Sequence, residues 1–254
     1  MRRAGSRRSV RVALLGSTAV LATGCIGSPA TRQGQTIADL WVIFAGAAAL
    51  VGLIVWGLLT WSIVRYRAGG RAGGTRGPGP LGLPPQTPGN IVAEITWTAL
   101  PIITVLALFA LTFRATNAIA TPDTPPSVTV DVTAFTWQWS FHYQDSSVTV
   151  IGAADQPPEL MIPVGETVHL NLVSTDVDHS FYVPAFLFKR DAIPGHPTSF
   201  DFTVVAPGVY GGQCAEFCGL HHDTMRFTVR AVDRPTFDAW LASHAQPSPS
   251  GVQP

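Results

Sequence analysis

Cys214, Cys218, His222 and Met225 follow one another at intervals of four, four and three residues, in the run Cys214-Ala-Glu216-Phe-Cys218-Gly-Leu-His221-His222-Asp-Thr-Met225. Two thiols, an imidazole and a thioether are soft or borderline donors of the kind that select copper over oxygen-seeking cations. An upstream histidine, with His179 the candidate, brings the side-chain donors to five, one more than a single tetrahedral ion uses. Two coppers sharing both thiolates as bridges would use all five, each with one imidazole. Met225 would serve one of them as a weak axial donor, and the backbone carbonyl of Glu216 could serve the other. Zinc in a Cys2His2 site would leave Met225 idle, and a single blue copper needs only one cysteine. A disulfide between Cys214 and Cys218 suits the spacing and an oxidising compartment, but gives His222 and Met225 no role. His221 fits the ligand spacing less well and reads as a neighbour of the site.

The chain that must hold these donors has 254 residues, 46% hydrophobic and 13% charged, too apolar for an ordinary soluble domain of its length. Its net charge is zero but uneven. Residues 1–126 carry 11 arginines and 3 acids, whereas residues 127–234 carry 5 basic and 12 acidic residues. The first half suits a membrane with a basic inner face and the second a cationic partner, with no nucleic acid expected.

Arg2, Arg3, Arg7, Arg8 and Arg11 ahead of the apolar run Val12–Leu21 read as an export signal over residues 1–25. Leu21-Ala-Thr-Gly24-Cys25 resembles a lipobox, with Leu21 one place early, and Cys25 would then be lipidated and become the mature N-terminus. Leu40–Val64 is 25 residues without a charge, enough to cross a hydrocarbon core of about 30 Å. It predicts a first membrane helix over 37–66. A second is expected over 91–116, where Ile95–Phe113 lies between Glu94 and Arg114 and tolerates Pro101 in its early turns. The Gly/Pro-rich loop 67–90 between them, with Arg67, Arg71 and Arg76, follows Arg65 and has no acid. By the positive-inside rule it is cytoplasmic, which puts the N-terminus and the C-terminal domain outside, in the cell membrane's extracytoplasmic space.

From Ser127 the period changes to two: Val128, Val130, Val132 and Ala134 alternate with polar residues, as do Val168, Leu170 and Leu172 and the run Met225–Val232. Pro163-Val-Gly165, Pro194-Gly195 and Pro207-Gly208 supply turns. An all-β Greek-key domain is expected over 127–234, with the donors on loops at one end. A short helix over 235–244 and a Pro/Ser-rich disordered tail to residue 254 would follow.

Over nearly all of residues 40–241 the chain resembles cytochrome c oxidase subunit II, which carries a binuclear copper centre, CuA, on a cupredoxin domain. Cys214-x-Glu216-x-Cys218-x3-His222-x2-Met225 matches that family's copper motif throughout. Asp176-Val-Asp-His179-Ser-Phe matches the segment that supplies the first histidine, which favours His179 over His169. Phe135-Thr-Trp137-Gln-Trp139-Ser-Phe-His-Tyr143, Asp191-Ala-Ile-Pro-Gly195 and Glu94-Ile-Thr-Trp97-Thr-Ala-Leu-Pro101 are similar to further family segments, in the family's order.

The resemblance implies a helical hairpin followed by a cupredoxin-like Greek-key domain, in subunit II of an aa3-type oxidase. His179, Cys214, Glu216, Cys218, His222 and Met225 would hold two coppers. The centre would take electrons from cytochrome c, arriving at Trp137, and pass them to haem in subunit I, which reduces oxygen and pumps protons. Trp139 reads as core packing. Glu216 and Asp191 would lie near a magnesium or manganese ion shared with subunit I, and Glu94 at the mouth of that subunit's proton channel. Members that dock soluble cytochrome c have a dense acidic cluster after the aromatic stretch, where this chain has only Asp145-Ser-Ser147. A membrane-tethered or supercomplex-bound cytochrome would need less steering. A quinol oxidase subunit lacks the copper ligands, and nitrous oxide reductase needs a propeller domain for which there is no room. A copper-binding or assembly protein without electron transfer is the remaining alternative.

Overall fold

The computed structural model describes residues 27–66, 89–121, 124–153 and 155–245. The expected export signal with Cys25, nearly all of the loop 67–90 and the tail beyond residue 245 lie outside the described residues. Two compact units emerge, one from residues 39–116 and one from 27–38 together with 117–245.

The first unit is built on helices α1 (Arg32–Tyr66) and α2 (Ile91–Ala120), both long and apolar enough to cross a membrane. Helix α1 begins five residues ahead of the expected 37, because the Thr31 hydroxyl accepts the Gly34 N–H at 2.9 Å and caps the orphan turn. Asn90 caps α2 in the same way, taking the N–H of Val92 at 3.1 Å and of Ala93 at 3.2 Å. Hydroxyls inside α2 do not face lipid unpaired. Thr96, Thr98, Thr104 and Thr112 each donate to the carbonyl four residues back.

The second unit carries ten strands, β1 (Val128–Phe135), β2 (Gln138–Tyr143), β3 (Thr149–Ile151), β4 (Glu159–Pro163), β5 (Thr167–Ser174), β6 (His179–Val183), β7 (Phe188–Ala192), β8 (Thr198–Thr203), β9 (Gly208–Cys214) and β10 (Arg226–Val232), and a closing helix α3 (Arg234–His244). They form two five-stranded sheets, ordered β3-β2-β1-β5-β8 and β4-β10-β9-β6-β7. β1 runs parallel to β5 and β4 parallel to β10, while the other pairs are antiparallel. The period-two stretches do what their pattern dictates: β1 buries Val128, Val130, Val132 and Ala134, and β10 buries Phe227, Val229 and Ala231. The core between the sheets is aromatic, with Phe227 stacked on Phe181 at 4.4 Å and Trp139 edge-on to both. Tyr143 ties the sheets together. Its hydroxyl donates to the Met161 carbonyl at 2.8 Å and accepts the Met161 N–H at 2.9 Å.

The segment ahead of α1 belongs to this unit. Ala30 donates to the Ala185 carbonyl at 2.8 Å and accepts from Val205 at 2.9 Å, and Ala30 and Thr31 are buried. Gly34 passes so close that a Cβ there would meet the Phe186 carbonyl oxygen at 2.7 Å.

Candidate metal centre

Strand pairing brings the donors together. β9 and β10 are antiparallel neighbours, and the Cys214 N–H bonds the Met225 carbonyl at 2.9 Å, so residues 215–224 form a loop closed at its base. β6 lies on the other side of β9, with Phe181 opposite Cys214, which sets His179 at the first position of β6 beside Cys214. His179, Cys214, Cys218 and Met225 are all buried.

Cys214 Sγ lies 3.8 Å from Cys218 Sγ and both cysteines are free. A disulfide would need about 2.05 Å. Two sulfurs held about 2.3 Å from a common ion at the tetrahedral angle stand about 3.8 Å apart. Around the pair are His179 Nδ1, 3.8 Å from Cys214 Sγ, His222 Nδ1, 3.4 Å from Cys218 Sγ, and Met225 Sδ, 3.8 Å from Cys218 Sγ. The Glu216 carbonyl oxygen is 3.3 Å from Cys214 Sγ. Donor atoms of His179, Cys214 and Cys218 all fall within 4.8 Å of one another. The donor set fits soft metal ions bound at both thiolates.

The electrostatics favour one deprotonated sulfur. Burial opposes ionising Cys214, but the hydrogen bond from His179 and backbone hydrogen bonds at Glu216 and Ser180 outweigh it and bring the thiol below its usual range. Burial and the negative charge on Cys214 then push Cys218 upward. The pair gives up its first proton readily and its second reluctantly, which a bound cation would reverse.

Sequence reasoning left open what holds the histidine rings. For His179 it is Asp176, whose Oδ1 lies 2.9 Å from Nε2. Asp176 is itself fixed by the Thr136 N–H at 2.6 Å, the Thr136 hydroxyl at 2.8 Å and the Val177 N–H at 2.7 Å. Burial works against its charge, yet the bonds from His179 and Thr136 hold its carboxyl well below the usual carboxylate range. Burial likewise opposes a charged His179, but the bonds to Cys214 and Asp176 raise its pKa. His169 sits in β5 with its nitrogens committed to Asp201 at 3.0 Å and Asn171 at 2.9 Å.

Trp137 lies half-buried in the β1–β2 turn and donates its indole N–H to the Cys218 carbonyl at 3.0 Å. Gly219, at φ +108°, supplies a backbone turn that residues with side chains rarely adopt, and the exposed His221 sets its ring edge-on to Trp137 at 4.8 Å. Trp139 is wholly buried and packs on His179, Phe181 and Phe227. Phe217 and Leu220, in the same loop, are 79% and 80% exposed.

Glu216 turns its carbonyl inward and its carboxylate outward. Lys189 Nζ joins that carboxylate at 3.5 Å to Asp191 at 3.2 Å. Asp191 is lowered by its cross-strand neighbour Ser180 and by Lys189. The lysine bridge has no signature in sequence, because β7 delivers it from outside the motif. Glu94 lies exposed in the first turn of α2, in the other unit.

The family model "Cytochrome C oxidase subunit II, periplasmic domain" matches residues 153–232. "Probable cytochrome c oxidase subunit 2" of Streptomyces coelicolor is 30% identical, over 100% of this chain and 92% of its own. "Cytochrome c oxidase subunit 2" of Alkalihalophilus pseudofirmus is 35% identical over 86% of this chain and 64% of its own. Among solved structures, the periplasmic domain of subunit II of cytochrome oxidase of Bradyrhizobium japonicum is 30% identical, covering 48% of this chain and 95% of its own, with a TM-score of 0.44.

Proposed function

The chain belongs to the cytochrome c oxidase subunit II family, and on that premise we propose that its β domain is extracytoplasmic and holds a binuclear copper centre. That centre would receive electrons from a cytochrome c and deliver them to haem in subunit I. As a member of the family the chain is a subunit of a haem-copper oxidoreductase and works beside other subunits. The observation that carries the reading is the convergence of two free thiols, two imidazole Nδ1 atoms, a thioether and a carbonyl at spacings of 3.3–3.8 Å.

Cys214 and Cys218 as thiolates, and His179 and His222 through Nδ1, would hold the two metals. Met225 and the Glu216 carbonyl would add weaker donors. Copper held by these residues would supply single-electron transfer. The chain's residues prepare for that. Asp176 accepts the Nε2–H of His179, selecting the tautomer that leaves Nδ1 free and locking the ring. Buried ligands on a loop pinned between β9 and β10 resist rearrangement.

Trp137 offers an electron a short bonded route inward, because its N–H meets the carbonyl of a thiolate ligand. The exposed Phe217 and Leu220 with Trp137 would give the donor an apolar landing area, while the Asp145–Ser147 turn, at the opposite end of β2, carries a single acid. That composition suits a tethered or supercomplex-bound cytochrome. Asp191 and Glu216 would give oxygens to a magnesium or manganese ion once the solvent-exposed Lys189 swings aside. Glu94 would serve proton uptake in subunit I.

Cys218→Ser in the assembled oxidase tests the bridge. The expected result is loss of the copper spectrum and of cytochrome c oxidation with subunit I haem still present. Normal copper content and spectrum would contradict it. Full copper binding in the wild type without electron transfer from any cytochrome c would favour a copper-handling role.

A further inference from the structure

The β unit contains two cavities away from the metal centre, with Gln33 and Ile119 in the lining of both. The smaller, about 120 Å³, is lined by Arg32, Gln33, Thr36, Thr124, Thr167 and Thr203. No carboxylate lines it among the described residues. The hydroxyls of Thr124, Thr167 and Thr203 form a hydrogen-bonded row at 2.7 and 3.3 Å. Gln33 spends its carbonyl oxygen on the Thr203 N–H at 3.1 Å, so its remaining polar end is the donating NH2. Two of the row's three hydroxyl protons are spent within it, and Thr36 donates to the Arg32 carbonyl at 3.3 Å. That leaves one hydroxyl, the Gln33 NH2 and the Arg32 guanidinium to donate, a small positive set of the kind an anion requires.

The larger cavity, about 220 Å³, is walled by Phe186, Phe188, Phe200 and Phe202 with Arg190 and Asp201. Arg190 lies over the Phe188 ring at 5.3 Å, and Asp201 is already paired with His169 at 3.0 Å. Its chemistry is apolar with one available cation. Side by side, the two cavities match an amphiphile with a phosphate at one end.

Their place in the chain says which amphiphile. Arg32 opens α1 and stands eight residues before Leu40, where the charge-free stretch begins. That is about 12 Å along the helix axis. Ile119 lies five residues beyond Arg114, where the second apolar stretch ends, or about 8 Å. Arg32, Gln33 and Ile119 thus belong to the helix turns that directly adjoin the apolar stretches, where a chain leaving the hydrocarbon meets lipid headgroups.

We propose that Arg32, Gln33, the Thr124–Thr167–Thr203 row and Arg190 form a binding site for one anionic phospholipid. The phosphate lies in the polar cavity and the glycerol and upper acyl chain lie among the phenylalanines. Among the described residues the polar cavity offers a choline headgroup no carboxylate, and Asp201 in its neighbour is paired with His169, so phosphatidylglycerol is favoured over phosphatidylcholine.

Native mass spectrometry of the delipidated full chain in detergent tests this, with phosphatidylglycerol, phosphatidylcholine or inorganic phosphate added in turn. One phosphatidylglycerol per chain is expected. It should be held about tenfold or more less tightly in Arg32→Gln/Arg190→Gln, from the loss of charge-assisted hydrogen bonds, with copper content unchanged as the check on folding. Equal retention by the variant, or equal binding of phosphatidylcholine, would overturn the site. Displacement of the lipid by millimolar inorganic phosphate would reassign it to a free anion. Should the double variant lose copper, the exposed single change Arg32→Glu decides: retained phosphatidylglycerol overturns the site, and its loss supports it.

Discussion

His179 is buried completely and yet carries a carboxylate on its far nitrogen. Asp176→Asn should keep the fold but loosen the ring, weakening copper about 10–100-fold. Competition with a chelator measures this, and unchanged affinity would remove Asp176 from the site. Met225→Leu should retain copper and shift the reduction potential, read by redox titration, because the thioether is a weak donor. The proton balance predicts a pH dependence. His179 is raised above 6.5, so in the metal-free domain its charged form adds stability below that pH and loses it as pH rises through the folded value. Copper needs Nδ1 and both sulfurs free of protons, so its affinity should fall on acidification, with protons released on binding at neutral pH. Calorimetry in buffers of different ionisation enthalpy checks it. At this scale the loop ligands were legible because Cys214 to Met225 are contiguous. Asp176 was not, since nothing in the run Asp176–His179 says that the chain turns this carboxylate onto the ring three residues on, and Lys189 was not, since β7 lies outside the motif.

Among the elements, strands with strict alternation were readable because a sheet with one buried face imposes period two on its sequence. The N-terminal strap was not. Ala30 and Thr31 carry no pattern, and their burial comes from hydrogen bonds to Ala185 and Val205, more than 150 residues away. Gly34→Ala would press a Cβ on the Phe186 carbonyl and should cost about 1–3 kcal/mol. Tyr143→Phe leaves the Met161 N–H and carbonyl unpaired in the core and should cost about 2–4 kcal/mol. Urea unfolding of the metal-free full chain gives both values, and midpoints matching the wild type would contradict the roles assigned to strap and tyrosine.

For the whole molecule, the uneven charge and two apolar stretches made the order of membrane helices and β domain legible, whereas the two cavities were invisible because threonines and phenylalanines converge there from distant segments. The single acid of the Asp145–Ser147 turn predicts that turnover of the assembled oxidase with soluble cytochrome c is slow and only weakly dependent on salt. A fast, steeply salt-dependent rate would argue for a free, electrostatically steered donor instead. Because the strap ahead of α1 is part of the β unit, the intact chain is the right material for the decisive experiment, a copper count with paramagnetic resonance. Two coppers per chain and one unpaired electron split by two equivalent copper nuclei are the predicted result. One copper with the splitting of a single nucleus would contradict the binuclear centre.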